Sequence, residues 1–210
     1  MKKRAPGNSQ MPSYDKCMQK KKVKVVNLFA GPGCGKSTGA AIIFALLKMM
    51  GVNAELVTEF AKDKTWEKNF KALDCQPYVF GKQVYRLDRC RDDVEIIITD
   101  SPLLLSILYN KDEAIEPSLT ELVIKKFNEF ENFNYLLKRV KPYNPKGRNQ
   151  TEEESILIDA STKALLKEAN AEFEEVSGSF EGYIKIVTDL STYLGIVDKW
   201  EELKECLRNL

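Results

Sequence analysis

A glycine-rich segment constrains the fold of this chain more than any other part of its sequence. Residues 30–38 read Ala-Gly-Pro-Gly-Cys-Gly-Lys-Ser-Thr; they follow an apolar run at 23–29 and precede an apolar helical pattern at 39–50. Glycines let the backbone turn so that successive N–H groups point inward at an anion, and the N-terminus of the next helix adds partial positive charge. The strand–loop–helix context predicts that residues 30–38 bind phosphate; they are called the phosphate loop below.

The side chains of the phosphate loop predict binding of ATP together with Mg²⁺. Lys36 is expected to reach the outer phosphates, and the Ser37 hydroxyl is expected to coordinate the metal. Ala30 stands where the strict pattern has its first glycine, which exchanges one small residue for another. A ligand-free turn is the alternative, which the Gly-Lys-Ser sequence disfavours. The predicted nucleotide contacts are Gly31, Pro32, Gly33, Cys34, Gly35, Lys36, Ser37 and Thr38.

Composition excludes several kinds of catalytic site. The 210 residues include no histidine, which removes Ser-His-Asp and Cys-His nucleophile systems, histidine-ligated zinc and an imidazole base. A general base must therefore be a carboxylate, a lysine or a tyrosine. Phosphoryl transfer tolerates this restriction, because it depends mostly on positioning and on neutralisation of charge by magnesium, lysine and arginine.

Charge and cysteine content bear on partners and location. The net charge is +1, so no overall field favours nucleic acid or a membrane, and no apolar run approaches the roughly 18 residues of a membrane helix. Residues 1–22 are basic and poor in apolar side chains, which predicts a solvated arm, with a weak nucleic-acid contact as the alternative. Five cysteines without metal-ligand spacing indicate a reducing cytoplasm.

Strand-like and helix-like stretches alternate along residues 23–210, which predicts one α/β domain. The predicted class is a five-stranded, mostly parallel sheet flanked by helices, with a basic lid loop. The predicted strands are 23–29, 54–58, 95–99, 135–137 and 172–176. The later predicted helices are 77–89, 102–109, 117–130 and 152–169. In the predicted helix 152–169, the side chains expected on the buried side are those of Ile156, Ile158, Leu165 and Leu166.

Two carboxylates are predicted at the edge of the sheet where parallel strands end. Asp100 follows the buried run 95–99 and is expected to hold magnesium or to act on a substrate hydroxyl; capping of the next helix is the alternative. Glu59 follows the second strand and is expected to activate the acceptor, with an ordinary first-turn carboxylate as the alternative. Together they predict a phosphoryl-transfer centre.

A basic loop that contains glycine and proline spans residues 138–150. Charged loops of this kind close over a triphosphate and deliver arginine to the transferring group, and Arg148 is the first candidate, followed by Arg139 and Lys146. A solvated loop, neutralised by the glutamates that follow it, is the alternative. Thr151 and Glu154 fit a capping box at the start of the next helix.

The predicted helix 77–89 and the residue before it carry candidates for acceptor binding. Arg86 and Arg89 are expected to bind an acceptor phosphate, or else to lie at a helix C-terminus where cations are favoured. Gln76 and Tyr78 are expected to read the edge of a base and to stack on it.

Several motifs between residues 23 and 194 carry a family resemblance. They are the phosphate loop, Thr58-Glu59-Phe60, Trp66-Glu67-Lys68, Gln76, Thr99-Asp100-Ser101 and Gly147-Arg148-Asn149-Gln150. With them the chain resembles the P-loop kinases, in particular an AAA-type ATPase and kinase family that includes ribosylnicotinamide kinase domains and bacteriophage ATPases. Deoxynucleoside kinases are similar locally, which implies that Glu59 is the base and that Gln76 reads the nucleobase. Where those kinases have Glu-Arg-Ser, this chain has Asp100-Ser101-Pro102.

Two functions agree with these features. The first is ATP- and Mg²⁺-dependent phosphoryl transfer to a small acceptor: a nucleoside, a nucleotide or nicotinamide riboside. The second is an ATPase whose hydrolysis drives a conformational change in a protein or nucleic-acid partner. A short single domain with a closing basic loop favours the first. Candidates for the surface of a homo-oligomer are Met49, Met50, Trp200 and Leu207.

Overall fold

The computed structural model of the chain describes residues 22–140 and 151–209. Within these residues five strands and nine helices alternate, as the sequence predicts. Most of the N-terminal arm lies outside the described residues, and so do Arg148 and Lys146 of the predicted basic loop. The strands are β1 Lys24–Phe29, β2 Ala54–Val57, β3 Ile96–Thr99, β4 Glu131–Lys138 and β5 Glu174–Ser177.

The helices follow the strands in the order expected of a wound α/β domain. Two of them, α2 and α3, divide the stretch that the sequence predicts as one helical region, since Lys68 between them takes a left-handed φ of 55°. The helices are α1 Lys36–Met49, α2 Phe60–Trp66, α3 Phe70–Leu73, α4 Gln76–Asp88, α5 Leu105–Tyr109, α6 Glu116–Phe127, α7 Glu152–Glu168, α8 Phe180–Tyr193 and α9 Val197–Arg208.

The five strands form one parallel sheet in the order β2-β3-β1-β4-β5. This arrangement confirms the predicted class, a P-loop type α/β fold with helices on both faces. β1 is central and pairs with β3 on one side and β4 on the other. Because all strands run in one direction, their carboxyl ends share one edge, and the segments after β1, β2 and β3 meet there.

Apolar side chains cover both faces of the sheet. Helices α1, α8 and α9 pack on one face, where Ile43, Ile186 and Trp200 are buried. Helices α4 to α7 pack on the other face, where Phe80 and Val123 are buried. The continuous apolar sequence of β3 follows from this arrangement, since a central parallel strand faces apolar layers on both sides.

Three asparagines form a hydrogen-bonded ladder between the central strands. Asn27 of β1 pairs in register with Asn134 of β4. The Asn27 side-chain amide donates to Oδ1 of Asn132 at 2.9 Å and to Oδ1 of Asn134 at 3.0 Å. β4 begins at Glu131, four residues before the predicted start at residue 135. The prediction missed these residues because Asn132 and Asn134 interrupt the apolar pattern.

Some predicted surfaces are wrong. Ile156 is 52 % exposed, because the buried side of α7 is formed by Ser155, Thr162, Leu165 and Leu166. Met50 and Trp200, predicted as surface contacts between copies, lie in the core instead. None of the helices in the described ranges is both long and apolar enough to cross a membrane.

Candidate active site

The phosphate loop connects the end of β1 to the start of α1, in the context that the sequence predicts. Gly33 and Gly35 have φ values of 89° and 92°, in the left-handed region that favours glycine. A side chain at Gly35 would also collide with the hydroxyl of Tyr183, which donates to the Gly35 carbonyl at 3.0 Å. Residues 30–35 therefore form a tightly curved turn whose backbone leads directly into the N-terminus of α1.

Lys36 lies at the first turn of α1 with its ammonium group folded back over the phosphate loop. Its Nζ donates to the carbonyl of Ala30 at 2.7 Å and to the carbonyl of Gly31 at 3.1 Å. Burial lowers the pKa of Lys36, whereas the nearby carboxylates, Glu59 first, favour its charged form. A buried cation in contact with loop carbonyls is suited to bind a phosphate that replaces those carbonyls.

Glu59 occupies the turn between β2 and α2, beside Lys36 in the same cleft. It stands at the N-cap position of α2, yet its side chain makes no capping hydrogen bond. Burial raises the pKa of Glu59, Lys36 acts in the opposite direction, and Asp100 adds to the rise. A buried carboxyl group that does not cap its helix favours a functional role for Glu59 over that of an ordinary carboxylate at a helix start.

Two residues of α4 hold the turn that carries Glu59. The buried Gln83 accepts from the N–H of Phe60 at 2.9 Å and donates to the carbonyl of Thr58 at 3.4 Å. Arg86 donates to the same Thr58 carbonyl at 3.1 Å and forms an ion pair with Asp63. Both backbone neighbours of Glu59 are thus fixed by side chains from one helix.

Asp100 follows β3 at the carboxyl edge of the sheet and is 3 % exposed. Its Oδ1 is buried and has no hydrogen-bond partner in the described part of the chain. It does not cap α5, which begins only at Leu105. An orphaned carboxylate oxygen in a cleft fits a metal ligand, and Ser37 is the second group expected there.

The described residues contain no cluster of three or more His, Cys, Asp or Glu side chains that could hold a metal alone. Mg²⁺ does not need such a cluster, since it is commonly bound through one or two carboxylates together with substrate phosphates. Asp100 and Ser37 both line the cleft at the phosphate loop. They therefore fit a magnesium ion that arrives with a nucleotide.

One large cleft brings most of the predicted site residues together. Its volume is about 1020 Å³, just above the roughly 300–1,000 Å³ typical of sites for one drug-sized ligand. Predicted residues on its wall are Pro32, Gly33, Gly35, Lys36, Ser37, Thr38, Glu59, Gln76 and Asp100. Apolar residues on the same wall include Trp66, Phe70, Leu73, Val79, Leu105, Leu157 and Ile158.

Other predicted residues lie outside this cleft. Gly31 and Cys34 turn toward α7, where both donate to the carboxylate of Asp159. Tyr78 packs edge-on against the ring of Phe60, with ring centroids 5.5 Å apart, and its side chain does not line the cleft.

The arginines of α4 are placed differently from the prediction of a phosphate-binding group. Arg86 is occupied by Thr58 and Asp63, as described above, and Arg89 lies 3.6 Å from Glu55. Both line a small separate cavity of about 260 Å³. Each guanidinium has a carboxylate partner and neither lines the main cleft, so their binding of an acceptor phosphate stays a prediction.

Three residues near the site have no signal in the sequence that singles them out. Tyr109 at the end of α5 lines the cleft, and burial, followed by the charge of Glu59, raises the pKa of its hydroxyl to about 12. Gln83 and Asp159 act through hydrogen bonds to residues distant in the sequence.

One family of known proteins matches most of the chain. No curated protein matches the sequence. A solved structure of deoxyadenosine kinase from M. mycoides, with the products dCMP and dCDP bound, is 18 % identical with a TM-score of 0.49. The alignment covers 81 % of this chain and 98 % of that one. The model of the family described as AAA domain matches residues 25–182, which include the phosphate loop, Glu59 and Asp100. The chain therefore belongs to the AAA domain family.

Proposed function

We propose that this protein transfers the γ-phosphoryl group of ATP to a hydroxyl group of a small nucleoside-type or nucleotide-type acceptor. The observation that carries the proposal is a single cleft that joins Lys36 to Glu59 and continues to Gln76 and Trp66. An enzyme that transfers the phosphoryl group only to water needs no such extension beside the phosphate loop. A second substrate does need it.

The charged groups of the cleft have distinct roles in this reaction. Glu59 takes the proton of the acceptor hydroxyl, whose oxygen then bonds to the γ-phosphorus as the bond to the β–γ bridging oxygen breaks and ADP leaves. Lys36 neutralises charge on the outer phosphates, a role supported by its position in the first turn of α1 and by the contact of its Nζ with the phosphate loop. Magnesium held by Ser37, Asp100 and the phosphates would supply further neutralisation of charge.

The far part of the cleft supports an acceptor with a planar ring. Trp66 is 70 % exposed and Phe70 is 51 % exposed, although both line the cleft, so each offers a ring face to a ligand. The buried Gln76 adds an amide that both donates and accepts hydrogen bonds. Nucleosides, nucleotides and nicotinamide riboside share a ring with polar edges, which suits this combination.

The first experiment measures ADP formation with Mg²⁺, without an acceptor and with a panel of nucleosides, nucleoside monophosphates and nicotinamide riboside. Product masses are recorded in parallel. We expect ADP to form only with certain acceptors, together with a product heavier by one phosphoryl group. Hydrolysis independent of every acceptor, or stimulated only by DNA, RNA or protein, would instead support the ATPase whose hydrolysis drives a conformational change.

Variants connect the activity to the site. Lys36→Ala is expected to abolish turnover, because the outer phosphates lose their buried cation.

Arg148→Ala is expected to lower turnover more than ATP binding, because this arginine is proposed to contact the transferring group. Equal losses of turnover and binding in Arg148→Ala would assign it to ground-state binding alone.

A further inference from the structure

An ion pair outside the cleft contacts the phosphate loop from the side of α7. Asp159 is a residue of α7, and Arg139 directly follows β4. Oδ2 of Asp159 accepts from Nε of Arg139 at 3.1 Å and from Nη2 at 2.9 Å. The pair is largely buried, with 25 % of the Asp159 side chain and 14 % of the Arg139 side chain exposed.

Both members of the pair bind the phosphate loop directly. Oδ1 of Asp159 accepts from the N–H of Gly31 at 2.5 Å and from the thiol of Cys34 at 3.4 Å. Nη2 of Arg139 donates to the carbonyl of Pro32 at 2.9 Å. Three loop residues are therefore held by groups from two elements that follow them by more than 100 positions.

α7 packs so closely against the phosphate loop that it leaves no room for a side chain at position 31. A Cβ atom added to Gly31 would lie 2.5 Å from the carbonyl oxygen of Ser155 and 2.7 Å from Oδ1 of Asp159. The first of these is backbone of α7 and cannot move aside easily. Glycine is thus required at this position by packing against α7.

The negative charge of Asp159 lies close to the predicted phosphate site and is neutralised by Arg139. A carboxylate next to a site for an anion repels that anion, and the repulsion is stronger where water is partly excluded. The guanidinium of Arg139 cancels that charge while it fixes the Pro32 carbonyl. We infer that Arg139 and Asp159 are positioning residues that hold the phosphate loop in its nucleotide-binding conformation, with Arg139 shielding bound phosphate from the Asp159 carboxylate.

The test is a double-mutant cycle in the full chain, with Mg-ADP as the probe. Affinities are measured by isothermal titration calorimetry for the wild type, Arg139→Gln, Asp159→Asn and the double variant, each at low and at high salt. Thermal melting without nucleotide separates loss of stability from loss of affinity. Lys163→Gln is the matched control, because Lys163 lies on α7 like Asp159 and its ion pair is with Glu175 of β5 rather than with the phosphate loop.

We expect Arg139→Gln to weaken Mg-ADP binding at least about tenfold, most strongly at low salt, since it leaves a partly buried carboxylate unpaired. Asp159→Asn keeps an oxygen that can accept from Gly31, so the double variant is expected to bind more tightly than Arg139→Gln alone. A structural role without a charge component would give additive losses and no such recovery.

Two results would overturn the inference. One is an Arg139→Gln affinity within twofold of the Lys163→Gln control, and the other is a double variant no tighter than Arg139→Gln. If Arg139→Gln does not fold, Arg139→Lys replaces it for the positioning role; its single ammonium keeps the charge but cannot bind Asp159 and Pro32 with the same fork, so wild-type affinity would reject positioning by the guanidinium. Because no acceptor is present, the outcome does not depend on the proposed phosphoryl transfer.

Discussion

The pKa of Glu59 is set by neighbours that act in opposite directions. Burial is the main cause that raises it, Lys36 lowers it, and Asp100 raises it again. The net direction is upward from an ordinary value of 4.5. A general base works best when its pKa approaches the pH at which the enzyme operates, so this upward shift suits proton transfer from an acceptor hydroxyl.

This shift gives a test based on pH. The base acts only when deprotonated, so kcat/KM is expected to fall with decreasing pH through a pKa above 4.5. Glu59→Gln removes the base and is expected to lower kcat by about 10²–10⁴ and to abolish this acid limb. Initial rates between acid and neutral pH check both effects.

Asp74→Asn is the matched control for Glu59→Gln, because Asp74 is another carboxylate on the wall of the cleft. It is expected to retain the acid limb. An unchanged acid limb in Glu59→Gln would mean that another group is the base.

The buried thiol of Cys34 is expected to react slowly with alkylating reagents. Burial and the neighbouring Asp159 raise the pKa of its thiol to about 11, so it is almost entirely protonated near neutral pH. Cys75 and Cys206 are exposed. Because the thiolate is the reactive form, iodoacetamide is expected to label Cys75 and Cys206 well before Cys34, as followed by peptide mass. Equal labelling rates would contradict the buried, carboxylate-bound thiol described for the phosphate loop.

Among the secondary-structure elements, α4 has a role that its sequence does not reveal. It contributes Gln76 to the cleft at its first turn, and one face further along binds the turn that carries Glu59. The arginine expected to bind an acceptor, Arg86, belongs to that face. α4 thus contributes to the candidate site mainly by holding the backbone around Glu59, and Arg86 and the C-cap Arg89 are paired with acids.

Replacement of Gln83 tests this support. Gln83→Met keeps the approximate length of the side chain but leaves the Phe60 N–H without its partner and removes one of the two donors to the Thr58 carbonyl. We expect lower kcat with little change in Mg-ADP affinity, and a loss of stability of about 1–3 kcal/mol. Kinetics, calorimetry and melting are compared with Lys82→Met, a surface change on the same helix. A wild-type kcat in Gln83→Met would show that Glu59 does not depend on this contact.

The elements themselves could be predicted well from local patterns. The apolar runs of β1 and β3 and the Gly-Lys-Ser sequence predict the order of strand, loop and helix, and the capping box of Thr151 and Glu154 marks the start of α7 as predicted. Such signals depend on neighbours within a few residues. They therefore locate Lys36 and Asp100 in the cleft.

Tertiary contacts between distant residues could not be predicted in the same way. The chain brings Asp159 to Gly31 across 128 positions, and nothing near Asp159 distinguishes it from a solvated helix residue. Arg86 and Arg89 carry the charge expected of a phosphate site, but the acids that pair with them come from β2 and α2. Residue type indicated suitable chemistry, whereas partner choice depended on packing.

At the scale of the whole molecule, both helical layers of the sheet hold the phosphate loop. Tyr183 of α8 donates to the carbonyl of Gly35 at 3.0 Å and to that of Gly178 at 3.1 Å. Asp159 of α7 binds the loop from the other layer. Because the loop connects two separately packed faces, nucleotide binding is expected to stabilise the whole domain.

Thermal melting measures this stabilisation. At a free Mg-ADP concentration of 100 times Kd, binding to the folded state adds about 2.7 kcal/mol. For a domain of this size each kcal/mol raises Tm by about 2–4 °C. The same nucleotide is expected to leave the Tm of Lys36→Ala nearly unchanged. A wild-type Tm that does not rise with nucleotide would contradict binding at the phosphate loop.

The asparagine ladder between β1 and β4 has a consequence for how the chain finds its fold. Sliding β4 by two residues would keep every side chain on its own face, so hydrophobic patterning does not forbid that alternative. A slide that places Leu136 opposite Asn27 would separate Asn27 from Asn132 and Asn134 and leave amide groups without partners in an apolar layer, at a cost of about 1–3 kcal/mol each. A slide in the other direction would keep an asparagine, Asn132, opposite Asn27. The ladder therefore disfavours a slipped register that hydrophobic patterning alone would allow. It thereby supports the register in which the carboxyl ends of β1 and β4 lie side by side.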